Sequence, residues 1–140
     1  MKRRTCVILL VLAMTFCVFA LLAIVAAWLV LDPESPLDQE SAIDTTQEWA
    51  RLADFPPGTR NVRIDTKGSM FTREFIIEFE ASPEDIAQWL RDSPGPSAAT
   101  PERLDDGSLR YPIDAGGGAQ FAEVIHWPSV GKVRIRAYWS

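Results

Sequence analysis

A run of 27 residues without a charge, 5–31, bounded by Arg4 and Asp32, constrains this chain more than anything else in it. As an α-helix it would be about 40 Å long at about 1.5 Å per residue, against a hydrocarbon core of about 30 Å. Such a helix crosses a bilayer with tilt or with its ends among the headgroups, and the remaining residues, 32–140, are then held at a membrane. A cleaved secretory signal is the competing reading. Its apolar region would run about 7–15 residues, whereas Trp28, Leu29, Val30 and Leu31 carry the run past the cleavage-like Val25-Ala26-Ala27. A lipoprotein signal would place a small residue before its cysteine, and Phe16 precedes Cys17. An uncleaved anchor is expected.

Charge sets the orientation. Lys2, Arg3 and Arg4 precede the run, and no Lys or Arg follows it until Arg51. Positive residues stay on the cytoplasmic side, so residues 1–4 read as a cytoplasmic tail and 32–140 as lying outside a cell (inner) membrane crossed once. Membrane lipid is the partner of 5–31, with Trp28 at the outer interface. Ala23 and Ala27, four residues apart, are the candidate positions for close approach of a second helix. Cys6 and Cys17 lie close to three turns apart on one helix face and read as apolar filler.

Outside the run the chain carries 11 Lys and Arg against 19 Asp and Glu, a net charge of −8. A nucleic-acid partner, which demands a basic footprint, is not expected. No cysteine lies in 32–140, so an exported domain there holds together by packing rather than by disulfides. Asn61 is followed by Val62 and Arg63, which is no glycosylation sequon.

Residues 32–54 read as an acidic tether with a short amphipathic helix. The stretch 32–44 holds five acids with Pro33 and Pro36, a composition that favours an extended chain. Thr45 and Glu48 have capping-box spacing, and Trp49, Leu52 and Ala53 follow at helical intervals, predicting a helix over 46–53. Phe55-Pro56-Pro57-Gly58 ends it.

The α+β domain is expected over 55–140. Residues 61–65 are a short strand. The stretch 71–80 alternates, with Phe71, Phe75, Ile77 and Phe79 on one face and Thr72, Glu74, Glu78 and Glu80 on the other. Ser82-Pro83-Glu84-Asp85 starts a helix: a capping serine, proline at the first position and two acids at the positive end of the dipole. Ile86, Trp89 and Leu90 form its apolar edge. A long loop is predicted over 93–107, with one helical turn at 101–104 and a turn at Asp105-Asp106-Gly107. Strands follow over 108–113, 119–127 and 132–139, the last with Val133, Ile135, Ala137 and Trp139 inward and Lys132, Arg134, Arg136 and Tyr138 outward. The order ββαβββ implies one antiparallel sheet with one helix packed on one face. Its core is expected to hold Phe75, Ile77, Phe79, Trp89, Leu90, Val133, Ile135 and Trp139.

The phrases Phe55-Pro56-Pro57-Gly58-Thr59-Arg60-Asn61-Val62, Phe79-Glu80-Ala81-Ser82-Pro83-Glu84-Asp85-Ile86 and Gly116-Gly117-Gly118-Ala119-Gln120-Phe121-Ala122-Glu123-Val124 resemble those of a group of small bacterial exported proteins. These have a single N-terminal span or lipid anchor. The resemblance covers most of 55–140; it implies this architecture and assigns no activity and no functional residue.

Little here reads as chemistry. Zinc needs three or four clustered Cys, His or carboxylate ligands, and 32–140 holds one histidine, His126, and no cysteine. No metal or other cofactor is expected. His126 shares a strand face with Ala122 and Val124; a small hydrolase would pair it with an acid such as Glu123 or Asp114, and Ser129 lacks the frame of a nucleophile elbow. Gly116-Gly117-Gly118 leads into a strand rather than a helix and so reads as a connection, not a phosphate cradle. Glu74, Glu78 and Glu80 read as a solvated row pairing across strands with Lys132, Arg134 and Arg136.

The expected function is a non-enzymatic, membrane-anchored accessory or interaction module facing outside. Lys132, Arg134, Arg136 and Tyr138 are its candidate contacts for a protein partner, an acidic one, or for an anionic saccharide. The alternatives are a structural subunit of a larger membrane complex, using Ala23 and Ala27, or the hydrolase built on His126.

Overall fold

The computed structural model describes residues 14–27, 36–69 and 72–140. They fall into two units, 1–39 and 40–140. In the first, residues 14–27 are helical throughout (α1). Its large side chains, Met14, Phe16, Val18, Phe19, Leu21, Leu22, Ile24 and Val25, are all exposed, as are Cys17, Ala23 and Ala27. Among the described residues no helix is long and apolar enough to cross a membrane. The remainder of the run 5–31, with Cys6 and Trp28, lies outside the described residues, as do the tail 1–4 and 32–35.

Helix α2, Pro36–Ala50, corrects the expected tether: 36–44 are helical rather than extended, and the helix ends at Ala50 instead of running from 46 to 53. Pro36 suits a first turn, where an N–H has no intrahelical partner. The buried side of α2 is made of Ala42, Thr46 and Ala50, a four-residue stripe of small residues that hydrophobic periodicity does not register. Thr46 is tolerated in the interior because its hydroxyl donates to the Ala42 carbonyl at 2.7 Å. Thr45 does the same to Ser41 at 2.7 Å, so it stands mid-helix and caps nothing.

The sheet is antiparallel and six-stranded. Its strands are β1 Arg60–Ser69, β2 Thr72–Glu80, β3 Glu102–Arg103, β4 Leu109–Ile113, β5 Phe121–Trp127 and β6 Lys132–Trp139, in the spatial order β1-β2-β6-β5-β4-β3. The α+β class holds, but the order ββαβββ misses one strand and one helix. Where a loop and a turn at 101–104 were expected, α4 (Pro94–Ala98) and β3 stand. Helix α3, Pro83–Asp92, starts as its cap predicts: the Ser82 hydroxyl accepts from the Asp85 N–H at 3.1 Å and donates to its carboxylate at 2.7 Å.

Register places the core. Phe75, Ile77 and Phe79 of β2 face Ala137, Ile135 and Val133 of β6, which in turn face Ala122, Val124 and His126 of β5. Over this floor lie α3, through Ile86, Trp89 and Leu90, and the end of α2, through Ala50. Phe79 sits between Phe55 (ring centroids 5.1 Å apart) and Trp89 (5.4 Å, edge on). The Trp89 indole donates to the Ala53 carbonyl at 3.1 Å, so burial leaves its N–H satisfied. Trp139 departs from expectation. It has the inward parity of β6 but is 43% exposed, because it pairs with Arg73 at the end of the sheet, beyond Phe75 and Ala137.

Two close approaches lock the helices to the loops. The Gly95 N–H donates to the Arg51 carbonyl at 2.8 Å, and a Cβ there would lie 2.2 Å from the Ala50 carbonyl oxygen. The glycine connection 116–118 packs on the end of α2, with the Gly116 N–H donating to the Trp49 carbonyl at 2.8 Å.

Candidate interaction face

Among the described residues of 40–140, the helices cover one face of the sheet and leave the other without a helical layer. Strand alternation puts Glu74, Ile76, Glu78 and Glu80 of β2, Lys132, Arg134, Arg136 and Tyr138 of β6, and Phe121, Glu123, Ile125 and Trp127 of β5 on this open face. The four residues singled out from the sequence do lie together here.

They are not a free basic row. Glu78 takes both Lys132 (2.8 Å) and Arg134 (2.6 Å), and Glu74 takes Arg136 at 2.5 Å. Register explains the pairing: Arg134 stands directly opposite Glu78, whereas Lys132 and Arg136 reach diagonally to a glutamate two residues along the strand. The hydrogen bond from Lys132, with that from Arg134, holds the Glu78 carboxyl below the usual carboxylate range against the opposing cost of its burial. Its neighbour Glu74 keeps Arg136 firmly protonated. On β4 and β5, Arg110 bridges buried Glu123 (2.7 Å) and Glu102 of β3 (3.2 Å), which ties the short edge strand to the sheet.

Aromatic rings complete the face: Tyr138, singled out from the sequence, and Phe121 and Trp127, which sequence reasoning missed. Arg134 and Lys132 lie over the Trp127 ring, 5.7 and 5.9 Å from its centroid. Arg136 lies over Phe121 and Tyr138, at 5.4 and 5.6 Å, and these two rings stack on each other at 5.1 Å. The Trp127 indole is pinned by a 2.9 Å hydrogen bond to Asp106. That carboxylate also accepts from the Ser108 hydroxyl and N–H, which hold it below its ordinary pKa. The expected Asp105-Asp106-Gly107 turn is thus a brace for the face. The signal was available in β5, whose outward residues are bulkier than its inward Ala122 and Val124.

The hydrolase constellation is not assembled. His126 points to the helical side of β5 and Glu123 to the open side, where it holds Arg110. Asp114 and Ser129 are exposed, and no side-chain bond joins either to His126 among the described residues. Among those residues no group of three or more His, Cys, Asp or Glu side chains is placed to hold a metal ion. Compared with known proteins, the chain matches no family model, no curated protein and no solved structure.

Proposed function

We propose that this chain is a membrane-anchored, non-enzymatic interaction module. Residues 5–31 hold it in a bilayer with 1–4 on the cytoplasmic side, and the α+β domain works outside, meeting a protein partner with the open face of its sheet. The observation that carries this reading is α1: eight large apolar side chains stand exposed on a helix inside an uncharged run. Leaving such side chains in water costs about 1.5–3 kcal/mol each. Lipid relieves that cost, and Lys2, Arg3 and Arg4 set the direction of insertion. For the face, the support is composition and order. Arg, Trp, Tyr and Phe are the types that concentrate in the centres of protein interfaces. Here the cations are already held by Glu74 and Glu78, so docking would freeze few side chains.

The test is made on the full chain in its native membrane. The protein should stay in the pellet after alkaline extraction, and protease applied outside, once any outer barrier is opened, should digest 32–140 and spare the span. Recovery in the alkaline supernatant refutes the anchor. Chemical crosslinking in the same membranes should yield an adduct that Trp127→Ala with Arg134→Gln removes and that a helical-side substitution, Gln88→Ala, leaves. An adduct equally strong in all three proteins refutes the face.

A further inference from the structure

On the helical side of the sheet, α3 and α4 part from β4 and β5 to leave a groove of about 490 Å³. Ligand pockets run about 300–1,000 Å³, apolar with a few placed polar groups. This one fits that description. Leu90, Pro96 and Leu109 give it apolar walls, and its polar groups include Arg91, Tyr111 and His126.

Each of these three has capacity that the domain leaves unused. His126 is 7% exposed, and its buried Nε2 has no hydrogen-bond partner, a condition native interiors seldom leave unexplained. Burial also depresses its pKa, so the imidazole is neutral at pH 7 and its Nε2 has a ligand's oxygen to bond. The Arg91 guanidinium donates to the neutral Gln88 amide oxygen at 2.8 Å and makes no ion pair among the described residues. The Tyr111 hydroxyl, half-buried, bonds to no described residue. No Asp or Glu lines the groove, although 19 of them lie in 32–140. The groove is a locally positive, apolar slot in an acidic domain.

We propose that this groove binds a small amphipathic carboxylate. Its head group meets Arg91 and the Tyr111 hydroxyl, and its hydrocarbon body covers Leu90, Pro96 and Leu109. His126 Nε2 is shut off from solvent in the unliganded groove, so a hydroxyl or carbonyl oxygen on that body gives it its missing partner as the lining side chains shift to admit it. Charge complementarity selects an anion, and a neutral imidazole selects an uncharged oxygen as the second anchor.

The test uses the full chain, 15N-labelled, in lipid nanodiscs, with 3-hydroxyoctanoate, octanoate and octylamine as probes and empty discs as background. Binding of 3-hydroxyoctanoate should perturb the amides of 87–99, 109–111 and 126, and be about 3–10-fold tighter than that of octanoate. Arg91→Gln should weaken both acids about tenfold. Ala87→Trp, which fills the groove from a half-exposed helix position, should abolish binding while the remaining spectrum stays folded. His126→Phe should erase the difference between the two acids. If that variant fails to fold, the imidazole nitrogen signal of the parent protein, shifting with 3-hydroxyoctanoate and not with octanoate, reads the same contact. Octylamine bound as tightly as octanoate, or perturbations mapping away from the groove, would overturn the proposal.

Discussion

Phe79→Ala is the sharpest test of how this domain is held together. Phe79 is wholly buried, packed between a tilted Phe55 and an edge-on Trp89 and facing Val133 across the strands. Removing a buried phenyl ring costs about 3–5 kcal/mol, the spread reflecting how far the site collapses. Collapse is limited here, since one neighbour is a tryptophan fixed by its hydrogen bond to Ala53. A domain near this size has about 5–15 kcal/mol of stability in all, and loses about 4–8 °C of melting temperature per kcal/mol. The midpoint should therefore fall by about 12–40 °C. Trp139→Ala supplies the control: the same parity and a larger ring, but at the open end of the sheet, with an expected cost within about 1 kcal/mol. The assay is thermal and urea unfolding of the full chain in lipid nanodiscs, followed by tryptophan fluorescence and by circular dichroism, whose coincidence checks two-state behaviour. The reasoning fails if Phe79→Ala loses less than about 1 kcal/mol, or if Trp139→Ala loses as much as it does.

Burial keeps the His126 pKa below its unfolded value of about 6.5. Above that pH both states are neutral and stability does not depend on this group. Below it the unfolded chain takes up a proton the fold refuses, so stability falls, by at most about 1.4 kcal/mol per pH unit, until the folded pKa is passed. Unfolding curves of the parent and His126→Gln between pH 7 and 5 should diverge accordingly, and parallel curves would refute the point. Gly95→Ala should cost about 1–3 kcal/mol, since its methyl meets the Ala50 carbonyl at 2.2 Å; an unchanged urea midpoint would mean the α2–α4 contact gives way freely. Glu78→Gln should lower stability by about 1 kcal/mol or less, because the Lys132 and Arg134 pairs lie at a surface, and the loss should shrink in 1 M salt. Neutralising Lys132, Arg134 and Arg136 together should leave the fold intact by circular dichroism while slowing association with any crosslinked partner at low salt.

What could be read in advance depended on the size of the inward residues. Strand β6 has the expected bounds, and β2 and α3 nearly so, because Val133 and Ile135, Phe75 to Phe79, and Trp89 with Leu90 are large and correctly spaced. The first turns of α2 were lost because Ala42, the buried residue there, covers little surface, and its acidic neighbours outweigh it in composition. Strand β3 is two charged residues, Glu102 and Arg103, tied in by an ion pair from Arg110 that no local pattern announces. On the open face, alternation was enough to align glutamates with basic residues. Their diagonal partners follow from register, and the rings of Phe121 and Trp127 from how β5 sits beside β6, neither of which exists until the sheet is closed. The groove under α3 and α4 joins residues 87–99 to 109–126, so no single stretch contains it.

Strand order also governs when the domain can form. β6 comes later in the chain than every other strand, yet lies between β2 and β5 near the middle of the sheet. Until it emerges, the β1–β2 hairpin and the β3–β4–β5 meander have no ladder between them, and Phe79 and Val124 have no Val133 or Ile135 to face. The β2–β6 pairs are contacts of long sequence separation, slow to find and impossible during the first part of synthesis. A growing chain therefore cannot close this sheet or bury its core until Lys132–Trp139 has left the ribosome, so the two halves wait on the strand that joins them.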